Sequence, residues 1–173
     1  MQLVFLHGLE TGPYGTKYQA LTQMFGVVIS PDCEGVRDPQ QRLTIIRRIL
    51  AQEAGPFLVV GSSAGGLMAL LLQQVEPRVA GLVLCAPALH IPQAASLSSS
   101  GLPPTVVIHG RQDSVVPITS SRCFGAPLIE VDDEHGLNNS LPLILREVFR
   151  MKLLLEQPDR EKEIEALFCR GQA

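Results

Sequence analysis

Six short runs rich in apolar and β-branched residues recur along the chain, at 2–6, 27–30, 57–60, 81–85, 105–109 and 128–131, each bounded by Gly, Pro or Asp turn signals. Their hydrophobicity is nearly continuous rather than alternating. A strand that is apolar on both faces has to be covered on both faces, which is the condition of a parallel sheet held between two helical layers. Helical stretches fall between the runs, at about 17–25, 40–53, 64–75 and 118–124, with a longer one near 141–155. This β-α-β-α order predicts an α/β fold: a doubly wound, mostly parallel sheet of about six strands, with helices on both faces and right-handed crossovers. With 173 residues, 46% of them hydrophobic and 18% charged, the chain can build one such core but is short for two, so residues 1–173 are read as a single domain.

One stretch breaks the rhythm. Residues 87–104 are rich in Ala, Ser and Pro and follow neither a helical nor a strand period, which predicts a small lid or a long loop. Near the end, residues 158–173 mix Glu, Lys and Arg with Ile164, Leu167 and Phe168, the pattern of a short amphipathic surface helix. The acidic residues around 161–165 could also serve a partner-binding role, but a charge run of that length reads as a solvated helix face. No internal repeat is present.

The segment with the most chemical content is Phe57-Leu58-Val59-Val60-Gly61-Ser62-Ser63-Ala64-Gly65-Gly66-Leu67-Met68-Ala69. An apolar strand runs into G-x-S-x-G and then into an apolar helix, which is the context that a nucleophile elbow requires. Small residues are needed there because a Cβ at Gly61 or Gly65 would meet the neighbouring strand or helix. Ser63 is the serine in register, and Ser62 reads as a turn residue. At the start of a helix, the Ala64 N–H and the positive end of the helix dipole can face a developing oxyanion. The same string can also merely join two elements, so its partners have to be found.

A serine hydroxyl is a weak nucleophile until a base takes its proton. His135 lies in Val131-Asp132-Asp133-Glu134-His135-Gly136-Leu137, on the loop after the last strand, and such loops open on the same sheet edge as Ser63. The alternative reading is a solvated histidine among acidic neighbours. Asp113 also follows a strand, in His109-Gly110-Arg111-Gln112-Asp113-Ser114-Val115-Val116-Pro117, and can orient and stabilise the base. The chain order Ser63, Asp113, His135 is the nucleophile, acid, histidine order of α/β hydrolytic sites. Among rival acids, Asp32 is assigned to the turn after the second strand, and Asp132 and Asp133 stand too close to His135 in sequence to orient it.

The first strand ends in His7-Gly8-Leu9-Glu10-Thr11-Gly12, where Gly8 permits a tight turn and the Leu9 N–H becomes the candidate second oxyanion donor, with His7 supporting the turn. Gly12 to Lys17 does not satisfy G-x-x-x-x-G-K-[ST], which removes a phosphate loop, and Thr16 is the expected N-cap of the first helix. A net charge of −3 without a basic cluster offers nothing to nucleic acid, and Arg47-Arg48 reads as a solvated helix face. No basic n-region precedes the first apolar run and no stretch is long enough to span a membrane, so the chain is read as soluble and cytoplasmic, without membrane partners. Cys33, Cys85, Cys123 and Cys169 are scattered, as thiols are, rather than spaced for disulfides or zinc.

Together these segments resemble the α/β-hydrolase superfamily: His7-Gly8, Gly61-Ser62-Ser63-Ala64-Gly65, His109-Gly110 to Asp113 with Val116-Pro117, and Asp133-Glu134-His135-Gly136. The small size and Gly15-Thr16-Lys17 look more like the compact bacterial esterases and the related acyl-protein thioesterases than the large lipases. The resemblance implies a catalytic triad of Ser63, Asp113 and His135, with oxyanion donors at Leu9 and Ala64. It also implies hydrolysis of a small carboxylic ester through an acyl-enzyme, with no metal and no cofactor. A thioester substrate, or a non-catalytic ligand-binding role on the same fold, stand as alternatives. The chain departs from the full superfamily pattern in lacking two antiparallel strands at its start, and its cap is at most residues 87–104.

Overall fold

The computed structural model describes residues 1–157, so the amphipathic helix expected over 158–173 lies outside the described residues. Six strands form one wholly parallel sheet: β1 (Gln2–Leu6), β2 (Val28–Ile29), β3 (Phe57–Ser62), β4 (Val79–Cys85), β5 (Thr105–Gly110) and β6 (Leu128–Val131). Five helices accompany them: α1 (Thr16–Phe25), α2 (Pro39–Leu50), α3 (Ala64–Gln73), α4 (Ile118–Phe124) and α5 (Leu141–Glu156). The spatial order β2-β1-β3-β4-β5-β6 means that the chain winds one way from β1 and then returns to wind the other way from β3. In an open sheet of this kind the crevice lies beyond the C-terminal ends of the strands on either side of that reversal, here β1 and β3.

Alternate residues of each central strand enter different cores. Val4, Leu6, Val59, Leu82, Leu84 and Val107 pack with Ile46 and Leu50 of α2 and Met68 and Leu72 of α3. Their neighbours Leu3, Phe5, Leu58, Val60, Val83 and Ile108 pack with Leu21 of α1 and Ile144, Val148 and Met151 of α5. This is the physical meaning of the continuous apolar runs, since each face of the strand has its own helical layer. The edge strand β2 is shorter than the run 27–30, because Val27 stands 89% exposed outside the ladder that pairs Leu3 with Val28 and Val4 with Ile29.

Two helix starts differ in kind. Asp38 caps α2 by accepting from the Gln40 N–H, with Pro39 at the first helical position. Thr16, expected as a cap, is instead the first residue of α1; extended Gly15 precedes it and supplies no side-chain cap. The segment 87–104 is a loop with one 3-10 turn at Pro92–Ala94, and its Ala88 and Ala94 pack on Leu67 of α3. Among the described residues no helix is long and apolar enough to cross a membrane.

Candidate active site

Ser63 stands between β3 and α3 with φ 56° and ψ −118°, a left-handed conformation that is strained for a residue with a side chain. Two glycines make the turn possible. A Cβ on Gly61 would lie 2.5 Å from the Gly65 carbonyl oxygen, and one on Gly65 would lie 1.9 Å from the Leu6 carbonyl oxygen of β1. The elbow is further tied to β4, where Cys85 O accepts from the Ser63 N–H at 2.9 Å. Ala64 is the first residue of α3, so its N–H has no intrahelical acceptor and remains available at the positive end of the helix. Ser62 lines a cleft beside α1.

The three residues placed together by chain order do meet. His135 Nε2 lies 3.0 Å from Ser63 Oγ, and His135 Nδ1 lies 2.7 Å from Asp113 Oδ2. Facing a carboxylate, Nδ1 donates, which leaves the Nε2 lone pair for the serine proton. The Asp113 side chain is wholly shielded from solvent, whereas that of His135 keeps 25% of its surface exposed. Burial alone would raise the Asp113 carboxyl. The N–H groups of Val115 and Val116, each 2.8 Å from Oδ1, and the His135 ring outweigh burial and hold it below the usual carboxylate range.

The His135 loop is built to hold that ring. Asp133, buried just before it, accepts from the Glu134 N–H at 2.8 Å and from the Ser140 N–H and hydroxyl at 2.8 and 2.9 Å. Its carboxylate is thus committed to the loop and to the start of α5. Burial works against its ionisation, but these donors hold its pKa down. Gly110 permits the close approach, because a Cβ there would lie 2.2 Å from the Asp133 carbonyl oxygen. Lys17 reaches across from α1 to donate to Gly136 O at 2.6 Å. Asp132 accepts from Gln112, and Asp32 turns its own loop by accepting from the Glu34 N–H.

Sequence reasoning placed His109 only at a strand end. In the structure it is fully buried, and its Nε2 faces both Asp113 Oδ2 at 3.1 Å and Val116 O at 3.0 Å. The hydrogen bond from Nε2 goes to Val116 O, and the ring packs beside the same Asp113 oxygen that His135 meets. Its Nδ1 meets the Ser121 hydroxyl at 2.7 Å.

The turn after β1 lies against the elbow: a Cβ on Gly8 would sit 3.5 Å from Ser63 Cβ. His7 supports this turn as expected, accepting from the Cys33 N–H at Nε2 and donating from Nδ1 to Gly8 O at 2.7 Å. Burial holds its pKa below the ordinary value, and the charge of Arg42 adds to that lowering. Arg42, which sequence reasoning passed over, donates from Nη2 to His7 O at 2.7 Å and to Gly8 O at 3.3 Å. In a trans peptide the N–H points opposite the C=O, so the Leu9 N–H is turned away from Arg42 and His7 and finds no acceptor among the described residues. The signal for Arg42 was its spacing, since residues 42, 46 and 50 share the buried face of α2.

A cleft of about 220 Å3 adjoins the site, lined by Phe5, Thr11, Gly12, Lys17, Ser62 and Gly136 among others. No group of three or more His, Cys, Asp or Glu residues placed to hold a metal occurs among the described residues.

A family model described as the alpha/beta hydrolase family matches residues 3–166. No curated protein matches the chain. Among solved structures, a protein of the alpha/beta hydrolase superfamily from Xanthomonas campestris pv. campestris is similar at 25% identity and a TM-score of 0.72, over 88% of this chain and 97% of that one. Est1E from Butyrivibrio proteoclasticus is similar at 18% identity and a TM-score of 0.71, over 90% and 87%. A pyrethroid hydrolase from Sphingobium faniae is similar at 15% identity and a TM-score of 0.65, over 92% and 99%. The last two likenesses concern the fold alone.

Proposed function

The chain belongs to the alpha/beta hydrolase family, and from that premise we propose that it is a serine hydrolase that cleaves carboxylic esters through an acyl-enzyme formed on Ser63. The observation that carries this reading is the unbroken chain of hydrogen-bond distances from Ser63 Oγ through His135 to Asp113, at 3.0 and 2.7 Å. Ser63 Oγ attacks the ester carbonyl as its proton passes to His135 Nε2. Asp113 remains ionised and stabilises the imidazolium. The main-chain N–H groups of Leu9 and Ala64 converge on the oxygen of the attacked carbonyl and receive the oxyanion.

As the tetrahedral intermediate collapses, His135 gives its proton to the departing alkoxide and the alcohol leaves. A water then gives a proton to the same nitrogen while its oxygen attacks the acyl carbon, and collapse of that second intermediate returns the proton to Ser63. Cys33, Cys85 and Cys123 are free thiols, which fits work in a reducing compartment such as the cytoplasm.

The test is hydrolysis of p-nitrophenyl esters of increasing acyl length, with fluorophosphonate labelling and peptide mapping of the same protein. Ser63→Ala is expected to lower kcat by about 10⁴ to 10⁶, to abolish labelling, and to leave the thermal midpoint near wild type. Wild-type turnover in that variant overturns the reading. A wild-type protein that neither turns over esters nor takes the label points to the ligand-binding alternative.

A further inference from the structure

The reaction as written makes no use of Arg42, a cation that is 2% exposed. Among the described residues it forms no ion pair with a carboxylate, and its Nε has no hydrogen-bond partner. Burial pulls its pKa below the ordinary arginine value. A guanidinium removed from water without a counter-ion is a costly feature for a small fold. An apolar side chain at this position would complete the stripe made by Ile46 and Leu50.

All three of its hydrogen bonds go to main-chain carbonyl oxygens. Nη1 donates to Val36 O at 3.3 Å, and Nη2 donates to His7 O at 2.7 Å and to Gly8 O at 3.3 Å. The last two are successive peptides of the turn that lies against Ser63, reached from residues 35 and 34 positions away in the chain. We infer that Arg42 is a positioning residue for the oxyanion site: by gripping the carbonyls of His7 and Gly8 it sets their peptide planes so that the Leu9 N–H faces the Ser63 side.

The inference rests on the serine-hydrolase reading and deepens it. A peptide between Gly8 and Leu9 has two ways to lie, and in the flipped one the Gly8 carbonyl would face the developing negative charge in place of a donor. Gly8 gives this peptide little steric bias, since no other part of the turn would crowd its Cβ closer than 3.5 Å. The preference must therefore come from the carbonyl side. His7 Nδ1–H supplies one donor to Gly8 O and Arg42 supplies the other, while Arg42 alone holds His7 O among the described side chains. A planar, permanently charged group can serve several carbonyls at once, which a lysine cannot do with the same geometry.

The deciding measurement compares wild type, Arg42→Met and Arg42→Lys for kcat and KM on a short p-nitrophenyl ester, the pH profile of kcat/KM, and inhibition by a small boronic acid that mimics the tetrahedral intermediate. Complete loss of one oxyanion donor lowers kcat by about 10² to 10³, so a loosened donor is expected to lower it by about tenfold or more. KM and the pH midpoint should stay near wild type, boronate affinity should fall in step with kcat, and Arg42→Lys should recover part of the loss. A folded Arg42→Met variant with kcat and boronate affinity within about twofold of wild type overturns the inference, as does a parallel drift of KM and pH midpoint. If Arg42→Met does not fold, Arg42→Lys decides by the same criteria. Failure of both to fold would make Arg42 a structural residue and also overturn it. A wild-type protein without turnover or Ser63 labelling would instead remove the hydrolase reading, and this inference with it.

Discussion

The two turns that meet at the reversal of the sheet are fixed by different means. The elbow after β3 is determined sterically: Gly61 and Gly65 leave no room for a Cβ, and the neighbours they would strike are backbone atoms at 2.5 and 1.9 Å. The turn after β1 is determined electrostatically, by a histidine and a buried arginine that bind its carbonyls. One geometry is written in adjacent small residues, the other in a side chain from a distant helix. A steric turn has no alternative shape of similar energy. A hydrogen-bonded turn does have one, and it depends on the charge and protonation of its partners.

The largest effect should come from breaking the elbow. Gly65→Ala forces a methyl into the Leu6 carbonyl, and neither β1 nor α3 can retreat without disturbing the cores on both sides of the sheet. Overpacking of this kind costs about 3 kcal/mol or more where backbone is the obstacle. A urea titration is expected to show either no native baseline or a midpoint well below wild type. A wild-type midpoint would mean that the elbow is not sterically set, and the contrast with the β1 turn would fail.

The same contrast explains what could be read from the sequence. The parallel sheet was legible because each central strand is apolar on both faces, and residues such as Val59 and Val60 do enter separate cores. The elbow was legible because its steric requirement is local and leaves a G-x-S-x-G trace. Asp113 and His135 could be paired with Ser63 because loops after parallel strands share one edge of the sheet. Arg42 and His109 were harder. Arg42 grips three main-chain carbonyls and His109 meets another beside an already assigned acid, and carbonyls are common to every residue, so no side-chain pattern marks them. The start of α1 was misplaced by one residue because a threonine is a better cap than a glycine on side-chain grounds alone, yet the extended Gly15 precedes the helix.

A smaller effect separates the turns by pH. His7 is held mainly by burial below its ordinary value of 6.5. Between 6.5 and that lowered value the unfolded chain binds a proton that the folded chain does not, so stability is full above the window and falls as pH drops through it. The slope this single group can contribute is at most about 1.4 kcal/mol per pH unit. Asp113 and Asp133, also held low, contribute in the same direction, but only once pH falls through the carboxylate range of about 4. Urea midpoints of wild type and His7→Gln from about pH 7.5 to about pH 5 should therefore converge as pH falls, because the variant lacks this proton. Parallel curves would show that His7 does not link the β1 turn to pH.

The smallest effect is expected at Gly8, and it is the sharpest comparison with Gly65. Both glycines lie within reach of the Ser63 turn, but a Cβ on Gly8 would meet Ser63 Cβ and Thr11 Oγ1 at 3.5 Å and Ser62 O at 3.6 Å, which is ordinary contact. The backbone there does not require a left-handed conformation. Replacing such a glycine by alanine narrows the unfolded ensemble and favours the folded chain by about 0.4 to 1 kcal/mol, partly offset here by the tighter fit beside Ser63. Gly8→Ala should keep its urea midpoint at or slightly above wild type. A loss as large as that of Gly65→Ala would show the β1 turn to be sterically closed as well. Arg42 would then be holding a peptide that had no second way to lie.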